Sequence, residues 1–162
     1  FQDYIGNPEF LCGGNLERNR SHHSSDAFAI AEDVHAKSRE SFDFIGEVGV
    51  VASGKTLYVG GQIGWTAEQV FETHDFIGQM EQALKNIVDV VKAAGGEIGD
   101  ITRLTWYVTD KKEYLAHQGQ VGLAYREVMG YHFPAMTMVV VAGLVEDEAL
   151  LEIEATAVLG TR

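Results

Sequence analysis

The sequence holds one cysteine and two prolines, has half as many basic as acidic side chains, and contains no long apolar run. Each scarcity closes off a class of protein. Cys12 alone cannot form an internal disulfide and suits a reducing compartment, so a cytoplasmic location is expected. A bilayer-spanning helix needs about 18 or more consecutive apolar residues, and no secretory signal pattern opens the sequence. Twelve Lys and Arg against 24 Asp and Glu leave a formal charge of −12. So acidic a surface repels phosphate backbones and anionic lipid, and neither nucleic acid nor a membrane is expected as a partner. Two prolines and 46% hydrophobic residues argue against a disordered chain. What remains is a globular protein of 162 residues, room for one domain whose core needs neither disulfide nor metal.

Composition divides the chain into an N-terminal extension, 1–40, and a domain, 41–162. The extension carries turn signals at Gly6-Asn7-Pro8 and Gly13-Gly14-Asn15, and a stretch with helical spacing over 26–39 (Phe28, Ala31, Val34). It is expected to pack on the domain or on a neighbouring subunit. His22 and His23 lack a further ligand at regular spacing and read as loop residues, so no metal is assigned.

In the domain, Glu47–Ala52 and Thr56–Gly60 flank the turn Ser53-Gly54-Lys55 and predict a hairpin. The pair Gly60-Gly61 marks a bulge, a close approach to the backbone, or a loose strand end. Asp75–Ala94 is a helix, with Ile77, Met80, Leu84, Ile87, Val88 and Val91 as its apolar stripe and Gly95 as its stop. Ile101–Thr109 is a strand with Leu104, Trp106 and Val108 on one face. Lys112–Met129 is a second helix, with Tyr114, Val121, Tyr125 and Val128 inward, although Gly119 and Gly122 weaken it.

Two strands close the chain. Pro134 bars a helix before Met136–Val141, an apolar, β-branched run expected to be buried on both faces. Leu151, Ile153, Ala155 and Ala157 then alternate with Glu152, Glu154 and Thr156, the period-two pattern of a strand with two unlike faces. Five or six strands and two helices predict an α+β fold: one mixed β-sheet with both helices packed on one face. The apolar row of the last strand and the run Val139–Val141 are expected to support self-association over the other face.

Four segments, in order and spacing, resemble the reactive-intermediate deaminase family, also called YjgF or RidA-like. They are LYVGGQI at 57–63, QMEQALKNIVDVVKAAGG at 79–96, ITRLTWYVTD at 101–110, and FPAMTMVVVAGL followed by LEIEATAV at 133–158. The resemblance covers about Ile45 to Val158. It implies a chorismate-mutase-like fold and a homotrimer with clefts between subunits, in which enamines and imines are hydrolysed with release of ammonia and no cofactor. It also implies site residues. Glu152, the first glutamate of Glu-Ile-Glu, is the candidate catalytic carboxylate that positions or activates water. Gly60, Gly61, Met136, Thr137, Met138 and His132 are the candidate substrate-binding positions.

Three positions depart from the family pattern. Met136 stands where the family carries a carboxylate-clamping arginine, Gly60 replaces a serine, and a family tyrosine falls near Val48. A thioether offers nothing like a bidentate guanidinium. An anionic substrate would then need another cation, from Arg103, Arg126, His117 or His132; otherwise Met136, with Tyr131 and Phe133, lines an apolar pocket. Without the resemblance, Glu152 and Glu154 read first as a solvated sheet face, and only with it as pocket residues. Two functions follow: a divergent hydrolase or deaminase of a small enamine, imine or related unsaturated metabolite, or a non-catalytic trimer that binds a small molecule. An RNA-cleaving role sits badly with the acidic charge and the lack of a basic stripe.

Overall fold

A computed structural model of the protein describes residues 49–160. The extension expected over 1–40, with its helix and histidine pair, lies outside them. In chain order the elements are β1 (Lys55–Gln62), α1 (Phe76–Ala93), a 3₁₀ turn (Ile98–Asp100), β2 (Ile101–Val108), α2 (Lys111–Ala116), α3 (Gln118–Met129), β3 (Ala135–Val140) and β4 (Leu151–Leu159). The four strands form one mixed sheet in the order β1-β4-β2-β3, with β4 antiparallel to both neighbours and β3 parallel to β2. The α+β class, the mixed sheet and the helices on one face are as the sequence predicts.

Helix α1 forms where its apolar stripe and caps agree. The Asp75 side chain accepts from Gly78 N at 2.9 Å. At the other end Gly96 N donates to Val91 O and Gly95 N to Lys92 O, both at 2.9 Å, with Gly95 at φ +85°. This is a Schellman stop, and it needs a residue that tolerates a left-handed backbone. Met80, Leu84, Ile87, Val88 and Val91 are all buried, and Ile77 is half-buried. They meet Leu104, Trp106 and Val108 of β2 and Leu151, Ile153, Ala155 and Ala157 of β4 in a single core cluster. Each buried aliphatic side chain contributes roughly 1.5–3 kcal/mol.

Four expectations are corrected. Residues 49–52 are not a strand: Val50 and Val51 are exposed, and β1 takes β4 as its partner in place of a preceding hairpin strand. Glu47 and Val48 lie outside the described residues. The sheet therefore has four strands among the described residues, not five or six. The second helix is two helices, α2 and α3. His117 breaks them at φ −119°, ψ 18°, and its Nδ1 donates to Glu113 O at 2.9 Å. That carbonyl would otherwise accept the helical bond from His117 N, which goes to Tyr114 O instead at 3.2 Å. The low helix propensity of Gly119 and Gly122 makes the break inexpensive.

The remaining two corrections concern self-association. Strand β3 is an edge strand, and Val139 and Val140 are exposed rather than buried on both faces. The apolar row of β4 faces the helices, so it is core and not a surface for a second copy. The uncovered sheet face carries the polar row instead.

Tyr125 ties the helix layer to the strand entrance. Its ring stacks on Trp106 (6.4 Å between centroids) and Phe133 (5.3 Å), and its hydroxyl donates to His132 O at 2.9 Å. Burial pushes this phenol far above its ordinary range, and it also raises Tyr114. A phenol whose folded pKa is raised adds no pH dependence below the unfolded value of about 10, and stability falls as pH rises from there toward the folded value. Urea midpoints are expected to be flat from pH 8 to 9.5 and to drop above pH 10. Tyr125→Phe should lose about 1 kcal/mol at neutral pH and show a shallower alkaline drop.

Candidate active site

Strand pairing decides which side chains share the uncovered face. Leu104, Trp106 and Val108 point to the core, so the alternate residues Arg103, Thr105 and Tyr107 of β2 point away from it. Thr156, Glu154 and Glu152 of β4 stand opposite these three in that order. On β3, Thr137 pairs with Thr105 and Val139 with Tyr107; on β1, Tyr58 pairs with Thr156. The face is thus a polar field with Glu152 and Glu154 at its centre and an exposed Tyr58 at one side.

Glu152 meets β1 at an irregularity. Val59 pairs with Ala155, but the next pair is Gln62 with Ile153, so one extra residue is accommodated at Gly60-Gly61. This is the bulge that the glycine pair suggested. A β-carbon on Gly61 would fall on the Glu152 carboxyl, within 2.6 Å of Cδ and 2.8 Å of Cγ. Gly61 is therefore glycine because a carboxylate occupies its side-chain space. Gly60 has open space around it.

The other sequence candidates divide between the two faces. Thr137 is exposed on the side of Glu152. Met136 and Met138 pair with Leu104 and Trp106, are half-buried, and pack against the core on the helix side. Glu152 and Met136 thus stand on opposite faces of one sheet and do not meet within a chain. His132 lies before β3 with Nε2 donating to Ile101 O at 2.6 Å, which fixes that tautomer and occupies that nitrogen. Of the four candidate cations, only Arg103 shares the face of Glu152. Arg126 donates to Gly122 O at 3.2 Å on α3, and His117 sits at the break between α2 and α3.

Tyr107, directly across from Glu152, did not stand out in the sequence. Its phenol is raised above the usual range, first by desolvation, then by the charge of the neighbouring Glu154 carboxylate and by its hydrogen bond to it, with a further push from Glu152. Arg103 opposes the shift. The hydroxyl is therefore neutral at any physiological pH and serves as a donor among carboxylates. The period-two reading of β2 held the signal: any strand beside Leu151–Ala157 must set its own outward row against the glutamates.

On the helix side, a shallow groove runs past His74, Phe76, Glu113, His117 and Gln120. His74 lies 3.5 Å from Glu148 and His117 3.5 Å from Glu113. Among the described residues, no group of three or more His, Cys, Asp or Glu is arranged to hold a metal ion, and no helix is long and apolar enough to cross a membrane.

The close approach of Gly61 and Glu152 has a measurable consequence. Gly61→Ala should lower stability by about 1–2 kcal/mol through overpacking, and by much less in a Glu152→Ala background where the space is vacated. Equal losses in the two backgrounds, measured by urea unfolding, would show that the carboxyl lies elsewhere.

Comparison with known proteins agrees with this fold. The family model described as endoribonuclease L-PSP matches residues 46–159. The 2-iminobutanoate/2-iminopropanoate deaminase of Salmonella typhimurium is 33% identical over 108 residues, covering 65% of this chain and 80% of that protein. Among solved structures, a Rid-family protein of unknown function from Yersinia pestis superposes with a TM-score of 0.65 at 30% identity, over 74% of this chain and 94% of that one. The YjgF gene product of E. coli gives 0.56 at 33% identity, over 69% and 86%. The chain belongs to the endoribonuclease L-PSP family, that is, to the RidA/YjgF-like proteins.

Proposed function

We propose that this protein hydrolyses a small imine or enamine, with Glu152 as the catalytic carboxylate, in clefts between the subunits of a homotrimer. The observation that carries the reading is the seating of Glu152 against the Gly61 backbone at the β1 bulge. A carboxylate there has one side closed by main chain and the other open to a ligand. The relatives named as 2-iminobutanoate/2-iminopropanoate deaminases support the reaction class.

The chemistry asks for little. Glu152 holds a water and takes its proton as the oxygen attacks the imine carbon. On a protonated imine this gives a neutral carbinolamine, and the proton is then passed from Glu152 to its nitrogen. Glu152 takes the hydroxyl proton as the C–N bond breaks, ammonia leaves with the carbonyl product remaining, and the proton on Glu152 goes on to ammonia. No redox step or external electron source enters. Tyr107 supplies a neutral donor beside the carboxylate. Arg103 is the cation on the same face for a substrate carboxylate, in the absence of a guanidinium at position 136.

The division of candidates between faces supports an assembly in which neighbouring subunits complete the cleft. Met136 and Met138 join Glu152 only if edge strand β3 of one subunit borders the uncovered face of the next. Gly60, Gly61 and Glu152 would then come from one side of a cleft, and Met136, Thr137 and Met138 from the other, with His132 behind them. A small-molecule ligand, no cofactor and a cytoplasmic location complete the proposal. A second reading, a trimer that binds a small molecule without turning it over, draws on the packing of Met136 against the core in place of a charged clamp.

Light scattering should give a mass of three chains. Ammonia release from freshly generated 2-iminobutanoate should exceed background, and Glu152→Gln should lower it by about 100-fold or more. A wild-type rate at background, with 2-iminobutanoate still raising the melting temperature, would replace the hydrolase by the binding trimer. A monomer would remove the cleft altogether.

A further inference from the structure

We infer that Gln79 is a positioning residue for Glu152, resting on the hydrolase reading above only for its effect on turnover. Gln79 is a fully buried polar side chain in the first turns of α1. Its amide is used at both ends across nearly half the chain. Nε2 donates to Glu148 O at 2.9 Å and to Thr73 O at 3.4 Å, while Oε1 accepts from Leu150 N at 2.8 Å. The carbonyl of Leu150 is held from the other side by Thr109, through both its N–H and its hydroxyl at 3.1 Å. The peptide two residues before Glu152 is thus fixed on both flanks, and β4 begins immediately after it.

The same glutamine supports the other half of the site. A β-carbon on Gly64 would lie 2.5 Å from Gln79 Cα and Cβ, so the chain leaving β1 rests directly on this residue. Gly64 follows the bulge at Gly60-Gly61 by three residues. Two further α1 side chains secure that exit. Asn86 Nδ2 donates to Trp65 O at 3.0 Å and to Ile63 O at 3.3 Å, and Gln82 Nε2 donates to Asn86 Oδ1 at 2.8 Å. The end of β1 and the start of β4, which bring Gly61 and Glu152 together, therefore share one buried support. A buried amide with every bond made is geometrically demanding, and loss of its partner groups leaves Leu150 N–H and Glu148 O unsatisfied in the interior.

The test uses the full-length chain. In Gln79→Met, of similar volume but without polar atoms, the stability loss caused by Gly61→Ala should fall by about half or more, because the Glu152 carboxyl is no longer held in that space. On 2-iminobutanoate, kcat should fall about tenfold with KM within about twofold of the parent. Gln79→Glu keeps the acceptor for Leu150 N–H and, when protonated, a donor for Glu148 O. It should resemble the parent at low pH and diverge as the buried carboxyl ionises with rising pH. An unchanged Gly61→Ala loss in folded Gln79→Met overturns the inference whatever the activity. Should that variant fail to fold, a Gln79→Glu in which the Gly61→Ala loss at about pH 8 equals the parent's overturns it instead. A parent protein that releases no ammonia defeats the hydrolase reading and leaves the stability cycle with Gly61→Ala to decide on Gln79.

Discussion

The alternation of β4 is the constraint on which the rest depends. Leu151, Ile153, Ala155 and Ala157 must be covered, and α1 covers them. Once they point to the helices, the pleat leaves Glu152, Glu154 and Thr156 no choice but the opposite face. Because β4 is central, with β1 and β2 on its flanks, that choice passes to the neighbours through register. Tyr107, Thr105 and Arg103 are turned outward by it, as is Tyr58. The polar face is thus a by-product of building the core, and the chemistry proposed for it occupies space that hydrophobic burial has already defined.

Much of this was legible before the structure. A strand alternating Leu-Glu-Ile-Glu-Ala-Thr-Ala states its two faces outright, and the α1 stripe with Asp75 before it and Gly95 after it fixes that helix to within a residue. The glycine pair in β1 signalled a bulge or close approach, and it is both. The illegible parts share a cause: each depends on partners distant in sequence. Residues 49–52 have strand composition, yet β4, almost a hundred positions later, takes the ladder bonds. The run Met136–Val141 looks doubly buried, but apolarity does not say whether a strand lies at the edge of a sheet or within it. Nor did the spacing of Lys112–Met129 show that the His117 ring would take a carbonyl from its own helix.

The polar residues of α1 are hard to read from sequence for a similar reason. Gln79, Gln82 and Asn86 recur at helical spacing beside the apolar stripe and look like the start of a solvated face. Two of them instead carry loop backbone, and one of these is fully buried. A helix with an amide edge along its core stripe does two jobs: the stripe holds the sheet from beneath, and the amides hold the chain where it enters and leaves the sheet.

The extra residue in β1 also sets how the gene can change. Val59 pairs with Ala155 and Gln62 with Ile153, so three steps along β1 span two along β4, and the ladder keeps its phase only because the extra residue is taken up at Gly60-Gly61. Deleting a single codon at 60 or 61 would straighten the ladder while leaving Gln62 opposite Ile153, and it would remove the bulge that sets Gly61 against the Glu152 carboxyl. Codon loss at this point therefore differs in kind from loss in a surface loop, and the strand length here is as constrained as any buried side chain.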